Sequence, residues 1–294
     1  MDRAHGESRH QDDGTLYVVA TPIGNLDDIT VRALKVLAAA DVIAAEDTRT
    51  TATLLARHGI GRRPVALHRH NEARMAGQVL HWLREGRSVA LVSDAGTPGL
   101  SDPGALVAAG ALAAGMRVVP VPGANAAVAA FSACGLSDGR FLFYGFLPAR
   151  SSARRAAIAD LAGLACALVF YEAPHRILNS VDDLAAVLPG ERTIVIAREL
   201  TKVFESIASM PLQEAPAWMR AEANRQRGEF VLIVSGAPQK DEKALAGWET
   251  TLGCLLGELP LAQAVRLTCA LTGARRKAVY EQALALAAPA ERKE

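Results

Sequence analysis

The feature that most constrains this chain is an alternation. Between residues 15 and 135, short runs rich in β-branched residues take turns with alanine- and leucine-rich stretches of helical spacing. The runs fall at residues 16–20, 42–45, 64–67, 89–93 and 117–121, and helices are expected to begin near Thr30, Thr48, Glu72, Pro103 and Asn125. Strand, helix and strand in succession is the signature of βαβ units, whose strands lie parallel because the helix carries the chain back along the sheet. A parallel sheet is therefore the expectation for the first half.

The alternation stops at the turn signal Ser137-Asp138-Gly139, and a second set of apolar runs follows at residues 141–144, 167–171, 193–197, 203–209 and 230–234. Helices are expected over 152–161, 174–188 and 211–225. Only a short polar segment separates 193–197 from 203–209, so those two runs should pair antiparallel and the second sheet should be mixed. After Ser235-Gly236-Ala237-Pro238 a charged linker leads into residues 244–288, helical in pattern and containing Pro260, Gly273 and the triplet Arg275-Arg276-Lys277. The expected fold class is thus α/β: a parallel-sheet domain over 15–136, a mixed-sheet domain over 137–237, a small helical domain over 244–294, and a disordered tail over 1–14.

Charge excludes some functions. With 32 basic against 31 acidic residues the chain has no global field to draw in nucleic acid, so any RNA contact must come from local patches. Cys134, Cys166, Cys254 and Cys269 form no C-x-x-C pair, which suits a reducing cytoplasm. Residues 1–14 lack the apolar core of a signal peptide, and no apolar run approaches the ~18 residues of a membrane span. A soluble, cytoplasmic protein is expected.

The run Ser93-Asp94-Ala95-Gly96-Thr97-Pro98-Gly99-Leu100-Ser101-Asp102-Pro103-Gly104 follows one of the buried strands. In open α/β sheets ligands bind at the carboxyl ends of the strands, where backbone groups leave the ladder. Its glycines have uneven spacing and it carries two aspartates and no lysine or arginine, so it fits neither the dinucleotide fingerprint nor the P-loop. A polyphosphate would be poorly served, and a ligand with cationic or hydrogen-donating groups well served. Two further Gly/Pro loops, residues 20–25 with Pro22 and residues 120–125, end runs expected to be neighbours of this one, which makes a shared crevice. Asn125 can cap the helix after it and expose N–H groups there.

A fourth loop is Ala45-Glu46-Asp47-Thr48-Arg49, where Asp47 or Thr48 can cap a helix. The second half adds Phe170-Tyr171-Glu172-Ala173-Pro174-His175-Arg176, and Arg198-Glu199-Leu200-Thr201-Lys202 with Glu205. The last is either a solvated hairpin tip or the polar wall of a cleft. His68 and His70 share a strand face, but no carboxylate or cysteine completes a metal set, and no metal is expected. Neither H-E-x-x-H nor G-x-S-x-G occurs, which leaves zinc and serine hydrolases without support.

Together, residues 19–30, 45–49, 93–104, 170–176 and 198–202 resemble the tetrapyrrole methylase superfamily, most closely its branch that 2′-O-methylates a cytidine of 16S rRNA. The resemblance runs over about residues 15–237. It implies two α/β domains with an S-adenosylmethionine cleft between them, a homodimer, a helix-turn-helix-like C-terminal segment, and the 30S ribosomal subunit as partner. It implies that Pro22, Asp94, Gly96, Thr97, Asn125 and Ala126 line the cofactor and that Tyr171, Glu172 and Leu200 close it from the second domain. Asn125 and Ala173 stand where the family commonly has serine, so no hydroxyl contact carries over at Ala173. The residues agree on charge: a ligand bearing a sulfonium, an ammonium and an adenine donor edge suits a loop of carboxylates and free carbonyls.

Methyl transfer to a hydroxyl needs a base, for which Glu46, Asp47, Glu199 and Lys202 are candidates. Arg49, Arg176 and Arg198 are candidate phosphate contacts, and Arg150, Arg154, Arg155, Arg275, Arg276 and Lys277 candidate remote RNA contacts. Two other readings compete. One is a methyltransferase acting on a corrin or porphyrin precursor, and the other a non-catalytic nucleic-acid-binding protein.

Overall fold

The structure, a computed structural model, describes residues 14–137, 139–238 and 248–287. Two compact units result, residues 1–237 and 238–294.

The first unit opens with the expected βαβ alternation. Strands β1 (Thr15–Val19), β2 (Val42–Ala45), β3 (Val65–Ala66), β4 (Val89–Val92) and β5 (Arg117–Val121) form one sheet in the order β3-β2-β4-β1-β5, every pair parallel. Helices α1 (Val31–Ala39) and α2 (Thr48–Arg57) cover one face, burying Leu37 and Leu55 against Val19 and Ile43. Helices α3 (Glu72–Arg84) and α4 (Ala105–Ala113) cover the other, burying Val79, Leu83 and Val107 against Leu16 and Leu91. Three of these helix starts have a side-chain cap. Thr30 Oγ1 accepts from the Ala33 N–H at 3.1 Å, and Asp47 Oδ1 from the Arg49 N–H at 2.8 Å. Gly104 has no side chain to cap α4, so Glu72 Oε1 reaches across from α3 and accepts from the N–H groups of Gly104 (2.7 Å) and Leu106 (3.1 Å).

The second sheet is mixed, as its sequence implied. It contains β6 (Phe141–Phe146), β7 (Ala167–Glu172), β8 (Thr193–Arg198), β9 (Ser206–Pro211) and β10 (Phe230–Val234), ordered β6-β7-β10-β8-β9, with only β6 and β7 parallel. Helices α6 (Ser151–Leu161), α7 (Ile177–Val187) and α8 (Ala215–Ala221) pack on one face around Phe170, Leu184 and Leu232.

Helix α5 (Ala126–Ala133) departs from the expected partition. It follows β5 in the chain, yet Ala127, Ala130 and Cys134 pack on Val169, Val195, Val231 and Ile233 of the second sheet. Its small side chains let it lie close under that sheet. Asp138, at the expected boundary turn, lies outside the described residues. Within the expected tail Gly14 is buried and donates to the Leu83 carbonyl, while residues 1–13 lie outside the description.

Three ends moved. Strand β9 starts at Ser206, because residues 203–205 belong to the turn, and α7 starts three residues after Pro174. The expected helix over 211–225 is α8 flanked by two short 3₁₀ turns.

The second unit contains α9 (Trp248–Glu258), α10 (Leu261–Thr272) and α11 (Arg276–Ala287), packed on Leu252, Val265, Val279 and Ala283. Pro260 and Gly273 (φ 72°) punctuate it as the sequence indicated. Residues 239–247 and 288–294, which include the linker and both ends of the expected helical domain, lie outside the description.

Candidate active site

Loops from the carboxyl ends of four strands meet at one edge of the first sheet. Thr21, after β1, and Gly96, after β4, exchange backbone hydrogen bonds of 2.8 and 3.0 Å, and the Thr21 hydroxyl donates to the Ser93 carbonyl at 3.2 Å. The Thr97 hydroxyl donates to the carbonyl of Ala124, after β5, at 3.2 Å. Asp94 Oδ1 accepts from the Asp47 N–H, after β2, at 2.8 Å. The loop over 93–104 is thereby bonded to all three of its neighbours.

The second sheet closes over this edge. The Ala127 N–H donates to the Tyr171 hydroxyl at 3.2 Å. On the far side the turn after β8 presses on the loop after β1 so closely that a Cβ on Gly24 would lie 2.6 Å from Lys202 Cγ and 2.9 Å from the Leu200 carbonyl oxygen. Glycine at residue 24 is what lets the two lips meet. Between them lies a cavity of about 370 Å³, the size of a small-molecule site.

Of the sequence candidates, Glu46, Asp94, Gly96, Thr97, Asn125, Ala126, Tyr171, Glu172, Leu200 and Lys202 border this cavity. Asn125 also caps α5, its Oδ1 accepting from the Val128 N–H at 3.0 Å. Ile23, Phe146 and Leu100 supply apolar wall. The non-glycine residues with positive φ among those described are Ser101 (68°), Glu199 (51°) and Thr201 (65°). Ser101 borders the cavity and the other two flank Leu200, which does so too. Such backbone costs of order 1–3 kcal/mol per residue and gathers at functional sites.

Several candidates are corrected. Pro22 is buried behind the wall, and Ile23 takes the expected position on its surface. Asp47 is not on the cavity. Its carboxylate caps α2 and binds the Arg49 guanidinium at 2.7 Å, which holds it at about 2, far below a useful base. Arg49 is accordingly paired. Glu199 turns away: its Oε1 accepts from Lys202 Nζ and from the Glu229 N–H, each at 2.9 Å. Burial opposes its charge, but those bonds prevail and lower its pKa. Lys202 has a second carboxylate, Glu229, at 2.7 Å. Burial disfavours its charge as well, and the two acids outweigh that and raise its pKa, so it borders the cavity as a cation and not as a base.

The basic candidates divide. Arg154 is buried and bound to Asp183 at 2.7 Å, which keeps its guanidinium inside the fold, and the neighbouring Arg155 shares the same carboxylate at 2.5 Å. Arg176 turns inward to the Leu147 carbonyl and to Glu172 at 3.1 Å rather than outward to a phosphate. Arg198 is engaged by Ser206 and the Arg227 carbonyl. Arg275, Arg276 and Lys277 are exposed at the start of α11. Glu172 borders the cavity with its carboxylate already occupied, by the Ser180 hydroxyl at 2.5 Å, the Ala173 N–H at 2.9 Å and Arg176.

Two acids on the cavity's border were missed. Asp102 borders the cavity, and burial, followed by the charge of Glu46, pushes its carboxyl up to about 6. Glu46 is itself raised, first by burial and then by Asp94. Asp102 was legible as the second acid of an unusual loop. Glu229 had no local signal, because only the pairing of β10 with β8 carries it to Lys202.

The fold is thus a two-sheet α/β architecture with an acidic ligand cavity at the joint edge of its sheets. Residues 15–216 match the model of the Tetrapyrrole (Corrin/Porphyrin) Methylases, and residues 243–287 that of the RsmI C-terminal HTH domain. Among solved structures, uroporphyrin-III-C-methyltransferase from Thermus thermophilus superposes with a TM-score of 0.55 at 23% identity, over 76% of this chain and 94% of its own. A second Thermus thermophilus structure, complexed with S-adenyl homocysteine, gives a TM-score of 0.54 at 18% identity, over 76% of this chain and 97% of its own. Much nearer in sequence is the ribosomal RNA small subunit methyltransferase I of Pseudomonas aeruginosa, 49% identical over 92% of this chain and 97% of its own. Its Escherichia coli O157:H7 counterpart is 48% identical over 95% and 97%. The chain belongs to the tetrapyrrole methylases and, within them, to the ribosomal RNA small subunit methyltransferase I family.

Proposed function

We propose that this chain transfers a methyl group from S-adenosylmethionine to the 2′-hydroxyl of a cytidine in the 16S rRNA of the small ribosomal subunit. The observation that carries it is the cavity's charge. Glu46, Asp94 and Asp102 face it, and the one cation that borders it among the described residues, Lys202, is held by two carboxylates. That wall favours a cationic ligand and disfavours a phosphate. The relatives' name supplies the RNA substrate, and the S-adenyl homocysteine complex of a protein of the same fold supports the donor.

When bound, the donor supplies a methyl group already activated on a sulfonium. The chain's own work is placement. The loop over 93–104, bonded to its three neighbours, fixes one wall before the ligand arrives, and holding two reactants in line supplies much of the rate in such transfers. Ile23, Leu100, Phe146 and Leu200 exclude water from the site. Arg275, Arg276 and Lys277 are free to meet phosphates and grip the folded RNA. A cytoplasmic homodimer fits this work. No helix among the described residues is long and apolar enough to cross a membrane, and none of their side chains cluster as a metal site.

The test is methylation with labelled donor on 30S subunits, naked 16S rRNA and a tetrapyrrole pool in parallel. Label in the ribosomal RNA is expected, and label only in the tetrapyrroles would overturn the reading. In the same preparation Asp94→Ala should weaken donor binding several-fold by calorimetry, since it removes both a wall carboxylate and the bond that holds the loop after β2.

A further inference from the structure

We propose that Asp102 accepts the proton of the substrate hydroxyl during methyl transfer and that Glu46 tunes it. This deepens the methyl-transfer reading above and rests on it.

The argument begins by elimination among the acids and bases that border the cavity. Glu172 holds three donors, Lys202 holds two carboxylates, and Glu229 is one of those two. The Tyr171 hydroxyl takes the Ala127 N–H, and burial, the larger influence, raises its pKa further from neutrality. Asp94, Glu46 and Asp102 are the bordering acids with no ion pair among the described residues; Asp94 takes the Asp47 N–H and Glu46 the Asp94 N–H, whereas Asp102 is bonded by the neutral Ser93 hydroxyl.

Asp102 is the best placed of the three, because its backbone is pinned on both sides. The Arg69 guanidinium donates to the carbonyl of Ser101, whose φ of 68° sets the turn. Beyond buried Pro103, the Gly104 N–H is held by Glu72 at 2.7 Å. The segment that carries the carboxyl is thus fixed at the cavity wall, with the Ser93 hydroxyl as the carboxyl's own partner, which is the placement a preorganised base requires. Four charged or titratable groups face it: Glu46 from the end of β2, Asp94 from the end of β4, Arg69 from the segment before α3, and Tyr171 from β7. His68 and Arg69 act on Glu46 in turn. Burial and Glu46 raise Asp102 to about 6, with Arg69 and the Ser93 hydroxyl opposing. At pH 7 it is therefore ionised, and still basic enough to hold a proton.

The step balances without another reactant. The 2′-oxygen forms a bond to the methyl carbon as its O–H bond breaks, and the proton passes to a carboxylate oxygen of Asp102. The sulfur–carbon bond breaks with its electron pair left on sulfur, which becomes a neutral thioether. The proton then leaves to solvent.

The test uses the full-length protein with 30S subunits and labelled donor. Asp102→Asn should lower single-turnover methylation at saturating donor by at least about 100-fold. The wild-type rate should rise with pH as one group ionises near 6. Glu46→Gln should move that midpoint down, because it removes a like charge. A readout independent of turnover is the ¹³C carboxyl titration assigned to Asp102 by its absence in Asp102→Asn, with its midpoint near 6 in wild type and lower in Glu46→Gln. If wild type labels the subunit and Asp102→Asn labels it as fast, or if Glu46→Gln leaves both midpoints in place, the assignment to Asp102 is wrong and the methylase reading stands. If wild type labels no RNA, the methylase reading fails and takes the assignment with it.

Discussion

The two sheets treat their carboxylates in opposite ways. Behind the second sheet, Asp183 is buried on α7 and takes the Ser151 hydroxyl at 2.9 Å, Arg154 at 2.7 Å and Arg155 at 2.5 Å. At the edge of the first sheet, Glu46 and Asp102 are half-buried and face each other's charge with no ion pair among the described residues. Both arrangements take charge out of water. The first pairs its acid with two guanidinium groups and so holds helices α6 and α7 together, whereas the second gives its acids neutral donors and no cation, and so costs stability until a cationic ligand arrives. A buried acid by itself says little about function, and its donors decide.

The largest break in that comparison is Asp183→Ala, which strands the Arg154 guanidinium at 3% exposure. Losing one partner of a buried pair costs about 3–5 kcal/mol, to be read from urea unfolding, and a loss below about 1 kcal/mol would show that the network is not structural. Burial pushes Asp183 up, but the bonds from Arg155, Ser151 and Arg154 prevail and lower it below 3.8. Its contribution is therefore complete above pH 3.8 and disappears as pH falls through the lower folded value. The gap between variant and wild type should narrow in acid.

Asp102→Asn should act with the opposite sign. A carboxyl raised from 3.8 to about 6 keeps its proton in the folded state after the unfolded chain has lost it. Stability accordingly falls as pH rises from about 4 to 6 and stays lowered above that. The group is partly open to solvent, so screening leaves a gain of about 1 kcal/mol for the variant at pH 7.5. That gain should vanish at pH 4. Equal stabilities at pH 7.5 would mean that water already compensates the cavity acids, and the contrast between the two sheets would shrink.

These opposite roles were unequally legible in the sequence. The parallel sheet could be read because periodicity and turn residues are local signals, and the neighbouring positions of β4, β1 and β5 follow from loops that share one crevice. The cavity acids Glu46 and Asp94 were legible for the same reason, lying within two residues of strand ends. What sequence could not supply was partnership. Arg154 and Arg155 read alike as a basic pair on one helix, yet α6 turns the first toward Asp183, about thirty residues on, and leaves the second half in water. Glu199 and Lys202 read as either a solvated hairpin tip or a cleft wall, and only the pairing of β10 beside β8 shows that they consume each other's charge. Helix α5 was assigned by chain order, although its alanines fit the other sheet.

The smallest expected effect tests whether donors near Asp183 matter by number or by burial. Arg155 donates to the same carboxylate as Arg154, at 2.5 Å against 2.7 Å, but its side chain is 54% exposed where that of Arg154 is 4%. If distance set the energy, removing either arginine would cost the same. If burial sets it, water replaces Arg155 almost without loss, and Arg155→Ala should cost about 0.5 kcal/mol, most of it gone in high salt. A cost near that of Asp183→Ala, unchanged by salt, would mean that the carboxylate needs both guanidinium groups to remain charged and that exposure is a poor guide to which member of a pair does structural work.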